Sequence, residues 1–298
     1  MPELPEVETI TNRLRPYLVG KRIAEVIKLH PKSFSSGQLL VVGYQITDVA
    51  RRAKMIRIQL VDPNKKDRIR NPANGGKNKL NLLIHLKMTG QLIYVDQNHR
   101  VGGGHPTEDW IQALPSNHTR IEFHFMDGSK LFFNDQRVFG WIKVMSDEEV
   151  LQEFSKYALD ITDPQFTLEY FSLAIAHSSR AIKVLIMDNT LMSGVGNIYA
   201  CDSLNLARIS PFHKANDLTA DQVESLYNAL KAIIQKGIDL GGATTDGKYI
   251  DVHGFAGKYQ LQARVYDKKG QPCPNCGEKI MKEKLAGRGT YYCNTCQH

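Results

Sequence analysis

Two Cys-x-x-Cys pairs, Cys273-Pro274-Asn275-Cys276 and Cys293-Asn294-Thr295-Cys296, constrain this chain more than any other feature. The 16 residues between them match the spacing with which two knuckles of a hairpin deliver four thiolates to one tetrahedral Zn2+ ion. Two disulfides are the alternative reading. The chain carries no secretory signal peptide and reads as cytosolic, however, and that compartment keeps thiols reduced. A closed four-thiolate site leaves no open coordination position, so the metal would fold this segment and take no part in chemistry. Between the pairs, Gly287-Arg288-Gly289-Thr290 predicts a turn with Arg288 projecting from its tip. Residues 257–298 hold eight Lys/Arg against three Asp/Glu, a balance that suits a nucleic-acid contact.

The opposite end, Met1-Pro2-Glu3-Leu4-Pro5-Glu6-Val7-Glu8, admits two readings. Removal of Met1 would leave Pro2 as a secondary amine with a pKa of about 8, partly unprotonated at neutral pH. Attack on a sugar C1′ or carbonyl carbon would then give an iminium, an electron sink for elimination, with Glu3 beside it as a candidate acid. On the other reading the prolines simply open a helix, and Glu6 and Glu8 suit its positive end. Val7, Ile10, Leu14 and Leu18 follow at helical spacing on one face.

Short β-branched and apolar runs fill residues 22–133 and predict an all-β domain: Ile23 to Leu29, Leu39 to Ile46, Met55 to Val61, Leu82 to Leu86, Leu92 to Val95, Ile121 to Met126 and Leu131 to Phe133. Asp127-Gly128 marks a hairpin turn. After about Ser146 the period becomes helical, most clearly from Thr219 to Asp239, where Val223, Leu226, Leu230, Ile233 and Ile234 share a face behind a Thr219 cap. A cleft between the two halves is expected. A formal charge of +7 and a pI near 9.0 are compatible with a phosphate-binding surface but do not by themselves prove one. No apolar run is long enough for a membrane span. Cys201, outside the zinc set, reads as a small buried side chain.

Together these features resemble the formamidopyrimidine-DNA glycosylase family, bifunctional enzymes that excise oxidised purines. Met1 to Thr9 resembles its N-terminal signature, Arg51-Arg52-Ala53-Lys54 its catalytic-lysine motif, and Ser193-Gly194-Val195-Gly196-Asn197-Ile198-Tyr199-Ala200 its helix-two-turn-helix signature. The resemblance runs from residue 1 to 298 and implies an α+β multidomain fold. Its parts are a β-sandwich-like N-terminal domain with an N-terminal helix (1–145), a hinge (146–160), a helix-two-turn-helix domain (161–256) and a zinc-finger β-hairpin (257–298).

The implied partner is double-stranded DNA carrying oxidised purines or abasic sites, bound by a monomer in the cytoplasm, nucleoid-associated in a bacterium. A stacked base must be flipped out and its place filled. His85-Leu86-Lys87-Met88-Thr89-Gly90 and Asp135-Gln136-Arg137-Val138-Phe139-Gly140 resemble the family's filler motifs: inserted Met88, Arg137 facing the estranged base, and Phe139 as wedge. Lys87 stands where glycine is usual, Gln136 and Val138 replace Pro and Arg, and Asp202 replaces a common glutamate. Phosphate contacts are implied for Lys54 on a strand, Asn197, Lys183, Arg180, Arg288 and His118, helped by N–H groups opened by Gly194 and Gly196. In the implied mechanism Pro2 attacks C1′, Glu3 transfers protons, and Glu6 orders the amine or a water. Lys54 serves β-elimination and Arg288 δ-elimination, although a permanently charged arginine suits phosphate clamping better. Gly241 to Tyr259 is a candidate lid. Two insertions lie outside the resemblance: residues 62–79, with six Lys/Arg and two Asp, and residues 97–117 with Gly102-Gly103-Gly104. Both are expected to be solvated, partly disordered loops, and extra DNA affinity is the alternative reading of the first. An endonuclease VIII-like enzyme for oxidised pyrimidines, or a DNA-binding relative without catalysis, are the alternatives. Leu4, Met88, Arg137 and Phe139 oppose the former, and intact Pro2, Glu3 and Lys54 oppose the latter.

Overall fold

The computed structural model describes residues 2–34, 37–64, 78–105, 107–243 and 257–298. Contacts divide these into a first unit of Pro2 and Glu6–Ser155, and a second of Glu3–Pro5, Lys156–Ala243 and Gly257–His298.

In the first unit, helix α1 (Leu4–Leu18, here from Glu6) turns Val7, Ile10, Leu14 and Leu18 into the core. Nine strands follow: β1 (Ile23–Lys28), β2 (Gln45–Arg52), β3 (Met55–Val61), β4 (Lys79–His85), β5 (Gly90–Val95), β6 (Arg100–Gly104), β7 (Thr119–Phe125), β8 (Lys130–Asp135) and β9 (Trp141–Met145). They form two antiparallel sheets, ordered β1-β7-β8-β5-β6 and β2-β3-β4-β9. Leu92, Tyr94, Phe123 and Phe133 of the first sheet share one core with Ile58, Leu82, Ile84 and Ile142 of the second. Helix α2 (Asp147–Phe154), opened by a Ser146–Glu149 capping box, completes the unit, so the stretch expected as a hinge holds a helix.

Three expectations change. The run from Leu39 to Ile46 is not one strand: Gln38–Val41 is a 3-10 turn with Leu39 and Leu40 exposed, and the strand begins at Gln45. Apolar composition alone does not separate a buried strand from a short exposed turn. β9, where no strand was expected, buries only Ile142, has its apolar run broken by Lys143, and pairs along β4. The insertion at 97–117 is not a solvated loop, since β6 closes the edge of the five-stranded sheet and Trp110 is buried. Its glycines serve packing: a Cβ at Gly103 would lie 2.3 Å from Ile10 Cγ1, so bare backbone lets α1 lie against this strand.

The second unit contains α3 (Leu168–Ile175), α4 (Ile182–Ile186), α5 (Asn197–Leu206), α6 (Ala220–Asp239) and α7 (Tyr259–Gln262). Thr219 and Gln222 form a capping box on α6, whose Leu226, Leu230, Ile233 and Ile234 are buried as the periodicity predicts. Strands β10 (Met281–Leu285) and β11 (Arg288–Tyr292) make the C-terminal hairpin. Its turn is Ala286–Gly287, both left-handed at φ 47° and 79°, so of the expected turn Gly287–Thr290 only Gly287 turns, and Arg288, expected at the tip, is the first residue of β11. No helix among the described residues is long and apolar enough to cross a membrane.

Candidate functional site

In the second unit, Glu3 reaches the start of α5. Its carboxylate accepts from Ile198 N (3.1 Å) and Tyr199 N (3.5 Å), and Leu4 N donates to Gly194 O (3.2 Å). The free N–H groups and dipole of a helix start suit an anion there. A Cβ at Gly194 would lie 2.3 Å from Leu4 Cδ1, and one at Gly196 2.1 Å from Glu3 Cδ. The two glycines, expected to open N–H groups to a phosphate, are thus required by the close approach of residues 3 and 4.

Asn197 and Lys183 face the hairpin. Lys183 is 2 % exposed, and its ammonium donates to Asn197 Oδ1 (2.6 Å) and Thr290 Oγ1 (2.9 Å), while Asn197 Nδ2 donates to Gly289 O (2.9 Å). Burial, with Arg288 nearby, pushes the Lys183 pKa below its ordinary value. Arg180 pairs with Asp188 at 2.9 Å. Arg180, Lys183 and the exposed Arg288 line one hollow of about 260 Å³. Asp202 is fully buried and accepts from Tyr259 Oη (2.8 Å) and from the backbone N–H groups of Arg264 (2.8 Å), Val265 (2.9 Å) and Tyr266 (3.0 Å). The shorter carboxylate at this position therefore ties α5 to the segment leading into the hairpin.

The four cysteine sulfurs lie within 4.8 Å of one another, with Cys273–Cys296 at 3.6 Å and Cys276–Cys293 at 3.4 Å. A tetrahedron with metal–sulfur bonds of about 2.3 Å has edges of about 3.8 Å, so the set fits one zinc ion. Asn205 Nδ2 and Asn275 N point at Cys273 Sγ from 3.6 and 3.5 Å, donors that suit a thiolate. Gln297 fastens this knuckle to α5: its Oε1 accepts from Cys293 N (2.8 Å) and Asn205 Nδ2 (3.0 Å).

In the first unit, Pro2 is buried just ahead of α1, and Glu6 is half-buried in its first turn. Lys54, expected on a strand, occupies the two-residue turn between β2 and β3, after Ala53 at φ 54°. It is buried beside His85, whose pKa is pushed down to about 3 by burial and by the charges of Lys87 and Lys54. Lys87 N donates to His85 Nδ1 at 3.0 Å, so the neutral ring carries its proton on Nε2. His118 Nδ1 lies 2.9 Å from Asp109 Oδ2, a buried carboxylate supplied by the second insertion. Burial opposes its ionisation, but hydrogen bonds from Ser116, Thr107 and His118 hold the Asp109 pKa below the usual range. Met88 (39 % exposed) and Phe139 (51 % exposed) project from the β4–β5 and β8–β9 loops, with the Arg137 guanidinium 4.7 Å from the Phe139 ring centre. The sequence reading missed His85, Asp109 and Asp135 as site residues. His85 and Asp135 begin the two filler motifs, whereas nothing local marks Asp109. The candidate lid falls largely on residues 244–256, and the basic insertion largely on 65–77, both outside the described residues.

A β unit joined to a helix-two-turn-helix unit with a four-cysteine hairpin defines a class of DNA-repair protein. The formamidopyrimidine-DNA glycosylase N-terminal domain matches residues 1–142, its H2TH domain 157–248, and the zinc finger found in FPG and IleRS 270–298. Formamidopyrimidine-DNA glycosylases of Pelotomaculum thermopropionicum and Lactobacillus delbrueckii subsp. bulgaricus are 35 % and 36 % identical, each aligned over 100 % of this chain and 99 % of the relative. The crystal structure of the Thermus thermophilus MutM (FPG) protein superposes with a TM-score of 0.80 at 32 % identity, covering 99 % of this chain and 98 % of that one. A point mutant of the Lactococcus lactis FPG, in complex with DNA containing Fapy-dG, superposes at 0.84 and 29 % identity over 99 % of both chains. The chain belongs to the formamidopyrimidine-DNA glycosylase family, DNA-repair enzymes with glycosylase and abasic-site lyase activity, and its four cysteines are the ligands of one structural zinc ion.

Proposed function

We propose that this enzyme removes oxidised purines, 8-oxoguanine and formamidopyrimidines, from double-stranded DNA, and then cleaves the abasic strand. The observation that carries this reading is Glu3 seated on the α5 N-terminus, which fixes the residue that follows Pro2. With Met1 removed, the Pro2 amine attacks C1′ as the C1′–N bond to the base breaks; Glu3 hands a proton to the departing base, and the proton shed by the amine passes to O4′ as the C1′–O4′ bond opens and the C1′=N bond forms. The resulting iminium makes the C2′ proton acidic, so β-elimination expels the 3′ phosphate. Lys54 moves that proton, and Glu6 orders the amine or a water. A second elimination releases the 5′ phosphate and leaves a one-nucleotide gap. Met88, Arg137 and Phe139 fill the space of the flipped nucleotide. Lys54, His118, Arg180, Lys183, Asn197 and Arg288 hold the backbone, with Lys183 and Asn197 also fixing the hairpin. The zinc ion keeps that hairpin folded and takes no part in the steps.

Borohydride trapping tests the assignment. Wild-type protein should form a covalent adduct with DNA containing 8-oxoguanine and little with thymine glycol, and Pro2→Gly should form none while still binding DNA. Equal trapping on thymine glycol would favour the pyrimidine-specific alternative, and undiminished trapping with Met1 retained would sink the Pro2 mechanism. Glu3→Gln should lose base excision yet cleave a ready-made abasic site; equal loss on both substrates would point to another acid.

A further inference from the structure

Met88 and Phe139 stand on different loops, residues 86–89 and 136–140, yet both loops hang from one side chain. Asp135, the last residue of β8, is fully buried. Its Oδ1 accepts from Thr89 Oγ1 and from Arg137 N (3.2 Å), and its Oδ2 accepts from Gly140 N (2.6 Å). Thr89 Oγ1 in turn accepts from Arg137 N at 3.0 Å. One carboxylate thus gathers one donor from the Met88 loop and two from the Phe139 loop. The strand beneath is itself fixed, because Asp135 N donates to His118 O (2.8 Å) and Asp135 O accepts from Arg120 Nε (2.8 Å). Both loops also carry a non-glycine residue in the left-handed region, Lys87 at φ 51° and Val138 at φ 56°, and such conformations persist only where surrounding bonds hold them. The anchors are buried and the three presented side chains point outward.

We propose that Asp135 is a positioning residue that makes the two loops one part, so that Met88, Arg137 and Phe139 enter the duplex together. Filling of the void and reading of the opposite base by Arg137 are then a single event. This inference rests on the reading that those three residues are the fillers. An amide at position 135 has only one acceptor oxygen and must turn its NH2 group toward either Gly140 N–H or the Thr89–Arg137 pair, so at least one of the carboxylate's three bonds is lost and the join between the loops slackens.

The experiment is single-turnover excision of 8-oxoguanine opposite dC and opposite dA by the full-length zinc-loaded enzyme, with 2-aminopurine beside the lesion to report insertion. Asp135→Asn should slow excision by about ten- to a hundredfold, the effect of misplacing groups by a fraction of an ångström to one ångström, and should shrink the dC-over-dA preference. Cleavage of a ready-made abasic site should fall less. Adding Met88→Ala with Phe139→Ala to Asp135→Asn should change little further. Thr89→Val should show the same pattern more weakly, and Thr89→Ser should recover most of it, a pair that decides the matter should Asp135→Asn fail to fold. If Met88→Ala and Phe139→Ala leave the 2-aminopurine signal and opposite-base preference untouched, the filler reading itself fails. If those two variants act but Asp135→Asn and Thr89→Val match wild type, or if the losses simply add, the coupling through Asp135 is overturned.

Discussion

Burial and two flanking lysines keep the His85 ring neutral, with its pKa pushed down to about 3. In the unfolded chain the same ring titrates at about 6.5. Between those two values the unfolded state binds a proton that the folded state does not, so stability is full above pH of about 6.5 and falls as pH drops toward 3. One such proton gives a slope of about 1.4 kcal/mol per pH unit. Denaturant unfolding at several pH values should show this slope in wild type and a shallower one in His85→Gln; identical slopes would place the proton elsewhere. Asp109 illustrates a second residue-scale point. It is remote in sequence from every recognised motif, yet it orients His118 from 2.9 Å away.

Arg288 opens β11 directly after the turn, and two sets of bonds hold its hairpin: the thiolate cluster below, and Lys183, Asn197 and Thr290 alongside. The second set has a buried ammonium as its centre, so it weakens once the hairpin strands loosen. Cys276→Ser or a strong chelator should therefore unfold the hairpin and release Arg288, because metal binding and local folding are linked. DNA affinity should drop while the β unit keeps its own melting transition. Lys183→Met should preserve bound zinc, measured as metal content, but weaken DNA binding; unchanged binding by metal-free protein would show that the hairpin is not a DNA element.

At the scale of the molecule the two insertions part company. Deleting 100–112 removes the edge strand β6 and buried Trp110, and should destabilise the β unit in thermal unfolding. Deleting 64–78 removes a basic segment and should weaken binding to damaged and undamaged DNA by a similar factor. The slope of log affinity against log salt should flatten by about 0.9 per lost phosphate contact, and an unchanged slope would mean the segment touches no phosphate. Local chemistry is what a sequence carries openly. The cysteine spacing specified a zinc hairpin, the apolar periodicities placed α1 and α6, and contiguous motifs marked Pro2, Glu3, Met88 and Phe139. Interactions between distant residues left no local period or spacing to read. That Gly194 and Gly196 exist to admit Leu4 and Glu3, that Gly103 admits Ile10, that Lys183 is held by Thr290, and that Asp135 binds both filler loops were decided only when the chain folded, because each depends on a close approach across tens to nearly two hundred residues of sequence.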